Sequence, residues 1–230
     1  MLKKIVVVWW CFIALTTSAQ TPKEIIAKVS NNFARVKDYS ADIAMIFSIP
    51  GVNIEPISGK VFYKSPDKFR VKTKGIVFLP KQNPYYALAL LKDTNAYTAV
   101  MSGVEKTGNI NCSVINVIPN SDNDLILGKF WIDLAKGLVV KSQLTTKSNG
   151  TITIENTYGA MSVYALPDKI LFSIDVAKFK VPKAVAVDLN SKVTPKSEGA
   201  PKGTGTISLQ FSKYLLNQKL KDEVFTENVN

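Results

Sequence analysis

Asp38-Tyr39-Ser40-Ala41-Asp42-Ile43-Ala44-Met45-Ile46-Phe47-Ser48-Ile49 is the stretch whose reading decides the fold. From 39 to 49 every odd position is apolar, and the even positions include Ser40, Asp42 and Ser48. Side chains of a strand point alternately to two faces, so this spacing predicts a β-strand with one dry and one wet face. Pro50 and Gly51 end it.

Immediately upstream the period is different. Thr21, Pro22 and Glu24 form a capping box, with Thr21 as N-cap, Pro22 at the first helical position and Glu24 at the third. Ile25, Val29, Phe33 and Val36 follow at helical spacing. This predicts an amphipathic helix ending near Lys37, with an apolar face that has to be covered. Downstream, nine more segments read as short strands: 59–64, 68–73, 97–101, 112–118, 129–133, 138–146, 151–158, 168–176 and 206–214. Ser65-Pro66-Asp67, Asn149-Gly150 and Leu166-Pro167-Asp168 are turn signals between them, and Asn149-Gly150 is the sharpest hairpin signal. Some ten strands with few helices predict a mainly β chain with helices, built on a largely antiparallel sheet, curled or partly closed. Asn83-Pro84 reads as a cap and first position, and the Ala/Leu-rich 85–91 favours a short helix after it, though a buried strand fits as well. Residues 182–205 read as a long loop, and the polar residues from Asn217 onward are expected to fray.

The N-terminus carries an export signal. Lys3 and Lys4 form a positive region, residues 5–15 an apolar run, and Thr17-Ser18-Ala19 a small-residue cleavage site before Gln20. The run is about eleven residues, whereas a membrane-spanning helix needs roughly 20. Cys11 follows Val8, Trp9 and Trp10, not the small residues a lipid-attachment signal requires. Residues 1–19 are therefore read as a cleaved signal peptide, 20–230 as a single domain, and the location as periplasmic. Removing Lys3 and Lys4 leaves 27 basic residues against 18 acidic ones and lowers the formal charge from +11 to about +9. Behind an export signal that charge does not point to nucleic acid. The lysines at 60, 64, 68, 72, 74 and 81 are scattered and read as a solvated face, with weak attraction to anionic headgroups as the other reading. Cys112, the one cysteine left, has no partner for an intramolecular disulfide and reads as a small buried apolar residue.

Chemistry-bearing patterns are sparse. The 230 residues contain no histidine, which removes the commonest general base and metal ligand. No phosphate-binding glycine loop follows a strand, and no serine stands in a nucleophile elbow. Asp122, Asp124, Asp133 and Glu155 are isolated carboxylates; Asp122 and Asp124 lack the glycine and closing glutamate of a calcium loop. The expectation is a non-enzyme with no cofactor, metal or catalytic residue. A helix plus a curled sheet rich in Met45, Phe47, Phe62, Tyr63, Phe69, Phe130, Trp131 and Phe172 can enclose an apolar cavity. A filled core is the plainer account of the same side chains.

The order of the motifs adds a resemblance. The initial helix, DYSADIAMIFSI and then GKVFYKSPDKFRVKT (Gly59, Lys64, Pro66, Phe69, Arg70) resemble the start of the outer-membrane lipoprotein carrier family, the LolA-like proteins. SGVEKTGNINCSVINVIP, then KFWIDLAKGLVVKSQLTTKSNGTI, and later YALPDKILFSI, look like the core of the wider superfamily, which includes the outer-membrane lipoprotein receptor and a periplasmic anti-sigma regulator. The resemblance implies an unclosed antiparallel β-barrel of about ten to eleven strands, with the N-terminal helix and a short helical lid over an apolar cavity for acyl chains. It implies a periplasmic carrier, monomeric, whose cargo is lipidated proteins or other acyl-chain lipids, working between an inner-membrane donor and an outer-membrane acceptor. The candidate cavity-lining residues are Ile43, Met45, Phe47, Tyr63, Phe69, Trp131 and Phe172, with Leu88 and Leu91 as lid candidates, and plain core is the other reading of each. In carriers of this family an arginine before the hairpin proline holds the lid closed; here Ser65 stands at that position and Arg70 further along, so these two are the gating candidates. Two other readings compete: an envelope-stress sensor or interaction domain of the same fold, and an envelope hydrolase with paired carboxylates.

Overall fold

A computed structural model of the chain describes residues 20–50, 54–73, 91, 93–121, 124–148, 150–175 and 203–226. The signal-peptide region, most of the candidate lid helix with Leu88, most of the 182–205 loop, Asp122 and Asn149 lie outside the described residues.

All ten expected strands are present in one sheet. They are β1 (Asp38–Ser48), β2 (Ile57–Lys64), β3 (Lys68–Thr73), β4 (Tyr97–Thr107), β5 (Ile110–Pro119), β6 (Leu125–Asp133), β7 (Leu138–Thr146), β8 (Gly150–Thr157), β9 (Lys169–Asp175) and β10 (Thr204–Leu216). Their spatial order is β3-β2-β1-β10-β9-β8-β7-β6-β5-β4, and every neighbouring pair is antiparallel. Each pairing joins strands consecutive in the chain except β1 with β10, which brings the two ends together. β3 and β4 are the two edges, so the sheet is not closed.

Helix α1 (Pro22–Ala34) starts on the expected capping box. Thr21 Oγ1 accepts from Glu24 N at 3.3 Å, and Glu24 Oε2 accepts from Thr21 N at 2.8 Å. Its buried residues, Ile25, Ile26, Val29 and Phe33, pack into the same core as the odd residues of β1. Burying each is worth about 1.5–3 kcal/mol. The helix's polar side is held too. Lys28 Nζ donates to the carbonyls of Leu134 (2.5 Å) and Ala135 (3.1 Å), and Asn32 Nδ2 to those of Lys136 (2.8 Å) and Gly137 (3.1 Å). Those carbonyls belong to the β6–β7 turn, which Asp133 Oδ1 caps by accepting from Ala135 N and Lys136 N. Gly137 sits at φ +65°, where a side chain is disfavoured, and a Cβ there would press on Lys28. The Trp-Ile-Asp and Gly-Leu motif is thus a capped turn that receives the helix.

The register fixes which residues share a face. One row crosses eight strands through directly paired residues: Phe47, Ile207, Phe172, Ile154, Ser142, Phe130, Ile115 and Met101. Shifting each strand by one residue gives Ser48, Thr206, Ser173, Thr153, Gln143, Lys129, Asn116 and Val100. The first row is almost wholly apolar and faces the core under α1; the second is mostly polar and lies on the other side. Side chains alternate with period two, so each register position assigns a whole strand to its faces.

Two departures from the sequence reading have physical causes. Strand β4 runs to Thr107, beyond the expected 101, because a bulge at Gly103 (φ +120°) carries the chain past the break in alternation. The Gly-x-Glu-x-x-Gly segment is therefore the end of β4 and its hairpin turn at Gly108 (φ +58°). Second, residues 217–226 do not fray. Asn217 N donates to Asp38 O at 2.8 Å, while Gln218 N (2.7 Å) and Lys219 N (3.0 Å) donate to the Asp38 carboxylate, which is 4% exposed. A polar segment stays ordered where a buried acceptor takes its backbone donors.

Candidate functional site

The candidate site is the concave apolar face beneath α1. Ile43, Met45, Tyr63 and Phe172 lie in its core, and Phe47 and Phe69 pack against it, half-buried. The structure brings them together through register. Phe47 and Phe172 flank Ile207 in the long row. Met45 stands between Ile57 and Leu209, Ile43 between Gly59 and Phe211, and Tyr63 between Tyr39 and Phe69. Gly59 is required at its position: a Cβ there would collide with the Lys72 carbonyl of β3. Leu91 is also buried in this core, and its carbonyl accepts from Tyr97 Oη at 3.1 Å.

One end of the face is an aromatic cluster. Tyr63 lies 5.2 Å from Phe33 and 5.5 Å from Tyr39; Tyr39 is 5.5 Å from Tyr214, which stacks on Phe211 at 6.0 Å. Such pairs add about 0.5–1.5 kcal/mol each beyond their buried area. Burial also raises the Tyr63 hydroxyl above its ordinary pKa, so the group stays neutral. Tyr214 escapes the sequence reading because β10 bulges: Ser40 pairs with Leu215 but Asp42 with Ser212, and Lys213 takes φ +51°. The extra residue turns Tyr214 to the same side as Phe211, where its hydroxyl donates to Pro167 O at 2.7 Å. No local sequence signal marks that bulge.

At the opposite end the face runs out into solvent. Tyr97 on β4 is 4% exposed, Met101 36% and Val104 69%. Met101 is the last member of the long row, and Val104 stands opposite buried Ser113 on the same side of the sheet. The apolar surface is therefore continuous from the aromatic cluster to the open β4 edge. Within it the Ser142 hydroxyl is buried without a hydrogen-bond partner among the described residues.

Trp131 is set apart from the other cavity candidates. It packs with Cys112, Val114 and Val140 on the outer face, because Phe130 and Ile132 on either side of it take the inner positions. Its Nε1 donates to Glu105 Oε2 at 2.7 Å, with Lys129 Nζ 4.5 Å and Lys141 Nζ 5.2 Å from the ring centroid. The hydrogen bonds from Trp131 and Lys129 hold the Glu105 carboxyl below its usual pKa. Cys112 is buried beneath this cluster, and burial pushes its thiol up, away from the reactive thiolate.

The gating candidates meet other partners. Ser65 N donates to Lys37 O at 2.7 Å, tying the β2–β3 turn to the segment after α1. Arg70 is on the outer face, where its Nη1 donates to the Thr226 carbonyl. Of the isolated carboxylates, Asp124 accepts from Ser148 N (3.0 Å) and Ser148 Oγ (2.8 Å), Asp133 caps the β6–β7 turn, and Glu155 pairs with Lys141 at 3.7 Å. Among the described residues no cluster of His, Cys, Asp and Glu could hold a metal ion, and no helix is long and apolar enough to cross a membrane.

No protein-family model matches the sequence, and no curated protein does. Solved structures match in shape. A LolA superfamily protein from Nitrosomonas europaea superposes with a TM-score of 0.58 at 14% identity, over 91% of this chain and 99% of that one. A DUF1329 family protein from Desulfovibrio piger gives 0.55 at 10% identity, over 90% and 98%. A domain from Vibrio parahaemolyticus described as outer membrane lipoprotein-sorting gives 0.51 at 12% identity, over 89% and 97%. At these identities the likeness is one of fold. The chain has a LolA-like fold: a ten-stranded antiparallel sheet, not closed, with a helix on its concave face.

Proposed function

We propose that the chain is an exported, non-enzymatic, monomeric carrier that takes the acyl chains of lipidated proteins, or of other lipids, onto its concave face and escorts them across the periplasm. In this reading 1–19 is the signal peptide, 20–230 the single carrier domain, and an inner-membrane donor and an outer-membrane acceptor are its partners. The observation that carries the reading is the continuous apolar face from Tyr39 to Met101, running to an open sheet edge under one helix. A protein with the same fold, the Vibrio parahaemolyticus domain, bears a lipoprotein-sorting description, which supports the class of cargo.

The physics suits the task. An acyl chain leaving a membrane for water loses roughly 0.8 kcal/mol per CH₂, so transit needs an apolar host. Helix α1 covers the face except toward β4, and a chain enters along that edge. Delivery requires that the open and covered states differ by only a few kcal/mol. Ile43, Met45, Phe47, Tyr63, Phe69, Leu91 and Phe172 are the proposed contacts; Trp131, on the outer face, is not among them.

The test is detergent-free purification from an envelope fraction, followed by native mass spectrometry and organic extraction. The expected result is a protein bearing diacyl or triacyl species that exchange with added fatty acid. A lipid-free protein that takes up no fluorescent fatty acid, and pulls down one membrane protein, would replace the carrier reading with that of a sensor domain.

A further inference from the structure

We infer that the outer face of the β2–β3 hairpin is a docking surface for the anionic headgroups of a lipid bilayer, and that the C-terminal tail covers part of it. The register places Lys64 opposite Lys68, Phe62 opposite Arg70, and Lys60 opposite Lys72. All six share one parity. Their neighbours Val61, Tyr63, Phe69 and Val71 pack toward the core, so the six side chains lie on the outer side. Five cations thus surround one half-buried phenylalanine, with Lys72 Nζ 5.5 Å from the Phe62 centroid.

Like charges directly opposite each other on paired strands repel, so this array calls for anions. The chain supplies two, and the first is Asp42 on β1, paired across the strands with Lys60 and 3.6 Å from its Nζ. The second, Asp222, in a short 3-10 turn (Asp222–Val224), reaches Lys64 Nζ at 2.6 Å and Lys68 Nζ at 2.9 Å. Leu220 O accepts from the same Lys64 ammonium at 2.8 Å, and Thr226 O accepts from Arg70. The tail holds this place through its tether: its root is fixed on Asp38, which keeps Asp222 at high effective concentration.

A different role for lysines on a sheet edge is to block pairing with other strands. That accounts for Lys68 and Lys72 on the edge strand β3. It does not account for Lys60 and Lys64 on β2, which is an interior strand. The cations stand on the side of the sheet away from the core and spread over two strands, so several can meet the surface of a charged bilayer at once, where each lysine or arginine gains about fivefold in affinity. A free acidic peptide would pair along the edge of β3 and leave Lys60 and Lys64 on the interior strand β2 unused, so it is the lesser fit. The inference goes beyond the carrier reading and does not need it; a lipid-free preparation leaves it standing.

The test is co-sedimentation of the full mature chain with phosphatidylcholine vesicles and with vesicles containing 30% phosphatidylglycerol, at about 50 and 500 mM salt. Asp222→Asn uncovers Lys64 and Lys68 and is expected to raise affinity for the anionic vesicles at least fivefold at low salt, with the gain lost at high salt. The exposed pair Lys60→Glu/Lys72→Glu is expected to lower it at least tenfold. Lys23→Glu/Lys106→Glu makes the same change in net charge on other elements and is expected to lower it by less than threefold. Equal losses in the two double variants would show net charge alone at work and overturn the proposal. So would Asp222→Asn binding no better than the unsubstituted chain, or no binding to anionic vesicles by any form. A free peptide of residues 219–226 that displaces the vesicles at micromolar concentration would move the site to a protein partner.

Discussion

Phe172→Ala tests the face assignment most searchingly by its stability cost. Phe172 is fully buried at the centre of the concave row, with Ile207 on β10 to one side and Ile154 on β8 to the other, themselves 1% and 3% exposed. Both neighbours are held in strands, so the site cannot collapse far around the missing ring. Truncation should then cost about 3–5 kcal/mol, the range for a phenylalanine in a rigid core. For a domain of this size that lowers the melting temperature by roughly 6–20 °C. Urea denaturation followed by circular dichroism measures the free energy, and a thermal scan checks it. The cavity opens on the face proposed to hold acyl chains, so a fatty acid at about 100 times its dissociation constant should restore roughly 2.7 kcal/mol. Val163→Ala, at a residue 58% exposed in the 3-10 turn Ala160–Tyr164, is the control and should stay within about 0.5 kcal/mol. A loss below about 1 kcal/mol for Phe172→Ala would refute the packed-row argument outright.

Asp38→Ala removes the acceptor for Gln218 N and Lys219 N; charge-assisted bonds of this kind contribute about 1.5–3 kcal/mol each. Hydrogen exchange at residues 217–226 should accelerate at least tenfold while β6 and β7 keep their protection, and unchanged tail exchange would mean the anchor is not formed. Hydrogen bonds from Lys64 and then Lys68 hold the Asp222 carboxyl down to about 2. The folded pKa lies below the ordinary 3.8, so the tail's contribution is complete above the usual carboxylate range and is lost as pH falls through about 2. Carboxyl NMR should therefore show Asp222 ionised at pH 4, and a midpoint near 4 would contradict the pair. Trp131→Phe keeps an aromatic ring, smaller than the indole, and loses the bond to Glu105; it should leave affinity for an acyl probe unchanged, and a several-fold loss would return Trp131 to the binding surface.

The sequence carried the strands and their order of appearance because one face of the sheet is dry and the other wet. Period two is unmistakable from Tyr39 to Phe47, and the capping box of α1 needs no tertiary partner to be recognised. Facing was lost where both sides of a strand are covered. Phe130, Trp131 and Ile132 are consecutive and all buried, so alternation says nothing about which of them points inward. Only the pairing of Phe130 with Ile115 and Ser142 decides it. Tyr214 was hidden for a related reason: a one-residue bulge at Lys213 reverses the parity of the strand's end. The tail's order is not legible locally, because its polarity resembles that of a frayed terminus while its acceptor, Asp38, lies 180 residues away. The cations of the β2–β3 hairpin look scattered along the chain, at every second or fourth position. That spacing is what gathers them on one side once the segment pairs as strands.

Photo-crosslinking with a diazirine fatty acid, mapped by peptide mass spectrometry, shows which face of the sheet an acyl chain touches. Adducts are expected on residues of the concave face, such as Met45, Phe47, Phe172, Ile207 and Met101, competed away by unlabelled fatty acid. Adducts confined to the outer face around Trp131, or spread without competition over the whole surface, would contradict that placement.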